Sequence, residues 1–144
     1  MRFVAIMLML LVVSTNVQCN RPEHKATATN DFERIQGTWA LISGERHGEK
    51  FTAEVTRNVK LTFAGDALRT HKGEDVTEAG FTLHPEMNPK GIDLDMDGST
   101  GLGIYKLDDD KLTILHGEVD QPRPVDFDAV KRGDLTMLVL EKAK

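Results

Sequence analysis

From Thr38 onward, apolar and polar residues alternate in short runs, each closed off by Gly, Asp, Asn or Pro. A period of two, interrupted by turn residues at short intervals, belongs to antiparallel strands rather than helices. It predicts strands over residues 38–45, 59–63, 67–71, 76–83, 92–96, 102–107, 112–116 and 135–142. Val59, Leu61 and Phe63 share one face of the second run; Ala79, Phe81 and Leu83 share one face of the fourth. No long helical pattern is present to carry the crossovers that parallel strands need. The fold class expected is therefore all-β, with about eight antiparallel strands in an up-and-down barrel that leaves no edge exposed. An open sandwich is the rival arrangement. A barrel of about eight strands is just wide enough to be filled by side chains or to hold one small ligand.

Ahead of the strands, Asn30 and Glu33 stand three apart like the two halves of a capping box, and Gly37 follows soon after. They predict a short N-terminal helix that starts at Asn30 and stops before Gly37. Residues 52–58 predict one further helical turn between the first two strands.

Earlier still, Met1 and Arg2 give a positive start, residues 3–13 are an unbroken apolar run, and residues 14–19 are a polar exit. This is the order of a secretory signal. The apolar run is shorter than the ~20 residues a membrane-spanning helix needs. The expected organisation is a signal segment over 1–19, a flexible polar leader over 20–30, and one barrel domain over 31–144. Export places the product in the periplasm, on the cell envelope or outside the cell. Cys19 is the only cysteine, so an internal disulfide is impossible. At the end of the apolar run it reads two ways: as the lipid-modified residue of a bacterial lipoprotein signal, or as the residue before an ordinary cleavage. The preceding Asn16, Val17 and Gln18 match the lipoprotein pattern poorly. A lipid at Cys19 is the one membrane attachment this reading foresees.

The chain has 144 residues, 40% of them hydrophobic and 28% charged, which suits one soluble domain with a real core. A net charge of −5 without any Lys/Arg cluster argues against nucleic acid as a partner.

Two resemblances bear on the family. Gly37-Thr38-Trp39, after a short helix and opening the first strand, resembles the Gly-x-Trp signature of lipocalins. In that family the Trp closes one end of the barrel, often against an Arg from late in the chain. A longer set occurs in order: Ile35 to Trp39, Leu61 to Asp66, Asn88 to Leu94, Leu102 to Leu107, Arg123-Pro124 with Phe127, and Val139 to Lys142. Together these resemble the small lipocalin-like domain found in many copies in planctomycete bacteria, some of whose members are associated with sigma factors. The resemblance runs from about Phe32 to Lys142. It implies a lipocalin-like fold and a role that is uncharacterised. Members of that family often carry a Cys-Phe-Ala-like stretch where this chain has Leu115, His116 and Gly117.

Among candidate sites, Asp93, Asp95 and Asp97 followed by Gly98 match the first half of a calcium loop. The twelfth position is Ile104 instead of a bidentate Glu, so alternation along a strand, with the carboxylates facing solvent, is the stronger reading. Asp108, Asp109 and Asp110 read as a hairpin loop. The five histidines show no metal-ligand spacing; His116, in an apolar run, is the one that alternation can turn inward. No nucleophile elbow, phosphate loop or dinucleotide fingerprint is present, and no cofactor is expected.

The expected interior is Trp39, Leu61, Phe63, Phe81, Tyr105, His116, Arg123 and Phe127. These residues either line a pocket for a small apolar molecule or fill a core without a cavity. Arg123 is expected to lie on Trp39 by cation–π contact. Three functional readings stand: an exported, non-enzymatic binding module, an envelope domain that meets other proteins through a packed barrel, and a small barrel enzyme of the hydrolase or isomerase type. The partners implied are a small apolar ligand or an envelope protein.

Overall fold

The computed structural model describes residues 24–144. The stretch over 1–19 expected to be a signal segment, Cys19 included, lies outside the described residues. Helix α1 (His24–Ile35) leads into β1 (Gly37–Arg46), a two-residue β2 (Glu49–Lys50) and the short α2 (Ala53–Asn58). Then come β3 (Val59–Ala64), β4 (Ala67–Lys72), β5 (Asp75–His84), β6 (Gly91–Met96), β7 (Ser99–Asp108) and β8 (Lys111–Gly117). A 3-10 helix (Phe127–Lys131) precedes β9 (Leu135–Lys142).

From β3 to β9 each strand pairs antiparallel with the next, and β1 pairs with both β3 and β9. Eight strands therefore close an up-and-down barrel, and β2 adds a short outer rung against the end of β1. Closure satisfies both edges of every long strand, which an open sandwich could not do. All eight predicted strands form, most of them extended by one to three residues at an end. The turns follow local chemistry. At Asp97 and Gly98 both φ angles are positive, 47° and 82°, as a two-residue hairpin turn requires. Thr52 caps α2 by accepting a hydrogen bond from the Val55 amide at 3.4 Å.

Helix α1 corrects one expectation. It begins at His24, so residues 24–30 of the expected leader are helical and Asn30 sits inside the helix instead of capping it.

The barrel is closed at the end where β1 begins. Trp39 and Ile35 are fully buried there, and the Trp39 indole N–H donates to the Ile35 carbonyl at 2.7 Å. Phe32 stacks on Phe81, which meets Phe63 edge-on. Asp31, 1% exposed, accepts from the Tyr105 hydroxyl at 2.8 Å and from Lys90 Nζ at 2.7 Å. Burial, reinforced by that carboxylate, raises the Tyr105 phenol far above its ordinary range and keeps it protonated as the donor. Gln36 exchanges two hydrogen bonds with the backbone of Gly65, tying the end of α1 to the β3–β4 turn. The helix is thus a plug held by polar groups around an apolar centre.

A second apolar cluster lies on the outside. Ile104 and Leu115 face outward from β7 and β8 and are covered by Ala129 and Val130 of the 3-10 helix, with Phe127 packed against them. Phe127 is therefore not an interior residue. It belongs to the strap that crosses the outer wall between β8 and β9.

Candidate functional site

The inner wall is not uniformly filled. Toward the closed end, Trp39, Phe63, Tyr105, Leu112 and Leu140 pack without exposure above 1%. Toward the open end, a cavity of about 140 Å³ is lined by Leu61, Leu68, Leu94, Ile114 and Leu138, with Thr70, Thr77, Glu78, Ala79, Met96 and His116 completing it. It adjoins a wider mouth of about 480 Å³ through shared walls at Leu94, Met96 and His116.

Glycines at inward positions shape the wall around this space. Gly101 and Gly103 pair with the inward-facing Leu94 and Ile92, so two inward positions of β7 carry no side chain; Gly101 borders the mouth, whereas Gly103 lets the Leu115 carbonyl approach to within 2.8 Å of where a Cβ would stand. Gly44 is the inward residue of β1 opposite Leu138, and the Phe51 ring occupies the position its Cβ would take. Phe51 thereby packs against the main core.

Thr70 and Thr77, opposite each other on β4 and β5, line the cavity, and a further polar row runs just above it at the mouth. His116 pairs with Thr136, and Thr136 pairs with Arg46 on the far side. Directly opposed residues on one face of an antiparallel pair have Cβ atoms ~5 Å apart, so the three side chains are neighbours. His116 Nδ1 lies 3.1 Å from the Gly117 carbonyl oxygen. A carbonyl only accepts, so Nδ1 carries the proton and, in the neutral ring, Nε2 is a bare acceptor. Burial holds the imidazole pKa below its ordinary value; the Gly117 carbonyl opposes this and the Arg46 charge adds to it. The carboxylates that line the mouth and the cavity are engaged elsewhere: Glu118 pairs with Arg46 at 3.0 Å and Glu78 with Arg69 at 2.8 Å.

Comparison with protein-family profiles, curated proteins and solved structures found no match. The site has to be read from its own geometry.

Of the residues expected inside, Trp39, Leu61, Phe63, Phe81 and Tyr105 are buried in the main core, and His116 faces the cavity. Leu61 alone of the apolar five lines the cavity; the others stand deeper, near the plug. Arg123 is a correction. Its guanidinium lies on the outer wall, donating to Asp93 at 2.6 Å and to the Gly103 carbonyl at 2.7 Å. The cation over Trp39 is Lys142, whose Nζ is 5.1 Å from the ring and also donates to the Arg34 carbonyl. The reason is register. Barrel closure sets Lys142 opposite Trp39, whereas Arg123 sits in the irregular segment between β8 and the 3-10 helix and anchors that strap.

The acidic triplet also divides. Asp93 is held by Arg123 and by His84 at 2.8 Å; burial opposes its ionisation, but those two hydrogen bonds outweigh it and lower its pKa. Asp95 accepts from Thr100, and Asp97 forms the hairpin turn. Among the described residues no three His, Cys, Asp or Glu side chains gather as a metal site requires. What sequence reading missed is the glycine pair in β7 and the alternation that aligns His116 with Thr136. The signal was available in the two glycines at inward positions of an otherwise bulky strand.

Proposed function

We propose that this chain is an exported, non-enzymatic binding module of the small lipocalin-like planctomycete kind, which holds a small, largely apolar molecule in the open half of its barrel. The observation that carries this reading is the cavity of about 140 Å³, walled mostly by apolar side chains with Thr70, Thr77, Glu78 and His116 as its polar points. An apolar cavity of ~150 Å³ accepts a molecule the size of benzene. A one-ring ligand therefore fits, and a long acyl chain does not unless it extends into the mouth. The barrel is well suited to this role because its plug and core make the closed half rigid while the open half keeps free volume. An enzymatic role finds less support, since His116 has no free carboxylate beside it and each acidic group nearby is paired with an arginine.

Native mass spectrometry of the purified full chain, compared with the same sample denatured, tests the binding reading. A retained small mass, or saturable uptake of toluene or phenol followed by titration calorimetry, is the expected result. A bare mass with no uptake of either compound would remove the carrier role and leave protein partners of the envelope as the alternative. The intact mass of the exported product tests the address. It shows whether the segment up to Cys19 is cleaved and whether Cys19 carries a lipid.

A further inference from the structure

We infer that the cavity selects ligands bearing one hydroxyl-type hydrogen-bond donor on a small ring, with His116 Nε2 as the acceptor that reads it. The inference rests on the binding reading above and adds the chemical class of the ligand.

Most of the cavity wall is leucine and isoleucine, which set size but not polarity; Thr70 and Thr77 stand opposite each other in it, and Glu78 is held by Arg69. His116 is the one imidazole in its wall, and its proton is placed at Nδ1 by the Gly117 carbonyl. The ring is therefore presented with its acceptor nitrogen uncommitted: among the described residues Nε2 has no hydrogen-bond partner. The neighbours reinforce that state. Gly103, opposite His116 on β7, has no side chain to compete for the nitrogen, and Thr136, opposite on β9, is neutral. The charged groups that face the row are Arg46 on β1 and Glu118 beyond β8, which pair with each other, and Glu78 at the β5 rim, which pairs with Arg69. The Arg46 charge and the burial both disfavour a second proton on the ring. An uncharged acceptor at the top of an apolar pocket matches a phenol-like or alcohol-like group. It offers nothing to a purely hydrocarbon ring and repels a carboxylate.

The test compares phenol with toluene, two rings of the same heavy-atom count. Burying an unpaired hydroxyl in an apolar cavity favours toluene by about tenfold or more. With an acceptor in place the expected result is phenol binding at least as tightly as toluene at pH 8. His116→Phe should restore a preference for toluene of about tenfold while changing toluene affinity little. Tenfold preference for toluene in the unaltered chain would overturn the inference and leave the pocket standing; uptake of neither compound would overturn both. The imidazole tautomer, read from ring nitrogen NMR on the unaltered chain, checks the premise without any substitution. A proton on Nδ1 is expected; a proton on Nε2 would overturn the assignment.

Discussion

The two ends of this barrel are built from the same alternating strands and yet do opposite things. At the closed end, large side chains meet, and every polar group brought inside finds a partner: Asp31 with Tyr105 and Lys90, Trp39 with Ile35, Lys142 with Arg34. At the open end, glycines stand at inward positions and His116 keeps one nitrogen uncommitted. The difference teaches that stability and recognition are separated along the barrel axis. A full core supplies most of the folding free energy, so the other half can keep a void without unfolding the domain. Substitutions at the two ends should therefore fall into different classes, one read in stability and the other in binding.

The largest effect is expected at the plug. Asp31→Ala leaves the Tyr105 hydroxyl buried without an acceptor and frees Lys90, and should cost about 3 kcal/mol in chemical denaturation. Lys90 keeps access to water, so Tyr105 bears most of that loss. Asp31→Asn, which still accepts from Tyr105, should cost less. Equal stability of Asp31→Ala and the parent chain would mean that the plug is not what closes this end.

At the open end, Gly44→Ala should be next. The new Cβ would fall 2.3 Å from the Phe51 ring, too close for any contact, and 3.2 Å from the Met137 carbonyl. Phe51 must swing away from the wall, at a cost of about 2 kcal/mol. Phe51 packs against the main core and lines neither the cavity nor the mouth, so the loss should be read in stability with phenol and toluene affinity little changed. A variant that loses affinity along with stability would show that Phe51 shapes the open end after all.

Much of this was legible in the chain before any coordinates, and the limits are physical. The alternation from Thr38 fixed eight strands because a half-buried strand leaves a period of two. Trp39 at the head of the first strand pointed to the closed end. The sequence alone points to Arg123 as the cation beside it and not to Lys142, since only closure between the first and last strands sets that register, and register is a long-range fact. A capping box is a local signal and points to a helix start at Asn30; the helix runs through it from His24. Asp31 gave no sign of being a buried latch, for its partners lie 59 and 74 residues away. The cavity was hidden for a different reason. Alternation tells which residues point inward but not whether they fill the space they reach.

Filling that space gives a smaller effect of the opposite sign. Ala79 lines the cavity, and Ala79→Leu should place added methyl groups where there is now a void. Each buried methylene contributes ~0.8 kcal/mol, and imperfect fit reduces the gain to about 1 kcal/mol of added stability. Binding of phenol and toluene should be abolished together. If the variant gains stability and still binds both, the ligand occupies the wider mouth and not the cavity.

The smallest expected effect concerns pH and bears directly on the polar row. The folded-state pKa of His116 lies below its ordinary value of 6.5, chiefly through burial. In the window between the two, the unfolded chain binds more protons than the folded one, so stability rises with pH there. The contribution is complete above about pH 6.5 and is lost as pH falls toward the folded value. His116→Phe has nothing to titrate, so its denaturation midpoint should fall less than that of the parent chain over the same window. Asp93, with a lowered pKa, adds a separate loss only at more acidic pH, below its ordinary 3.8, and is present in both chains. Parallel pH profiles for the two proteins would mean that His116 is not desolvated in the folded state. The open end would then be wet, and the contrast between a sealed half and a selective half would reduce to one of packing alone.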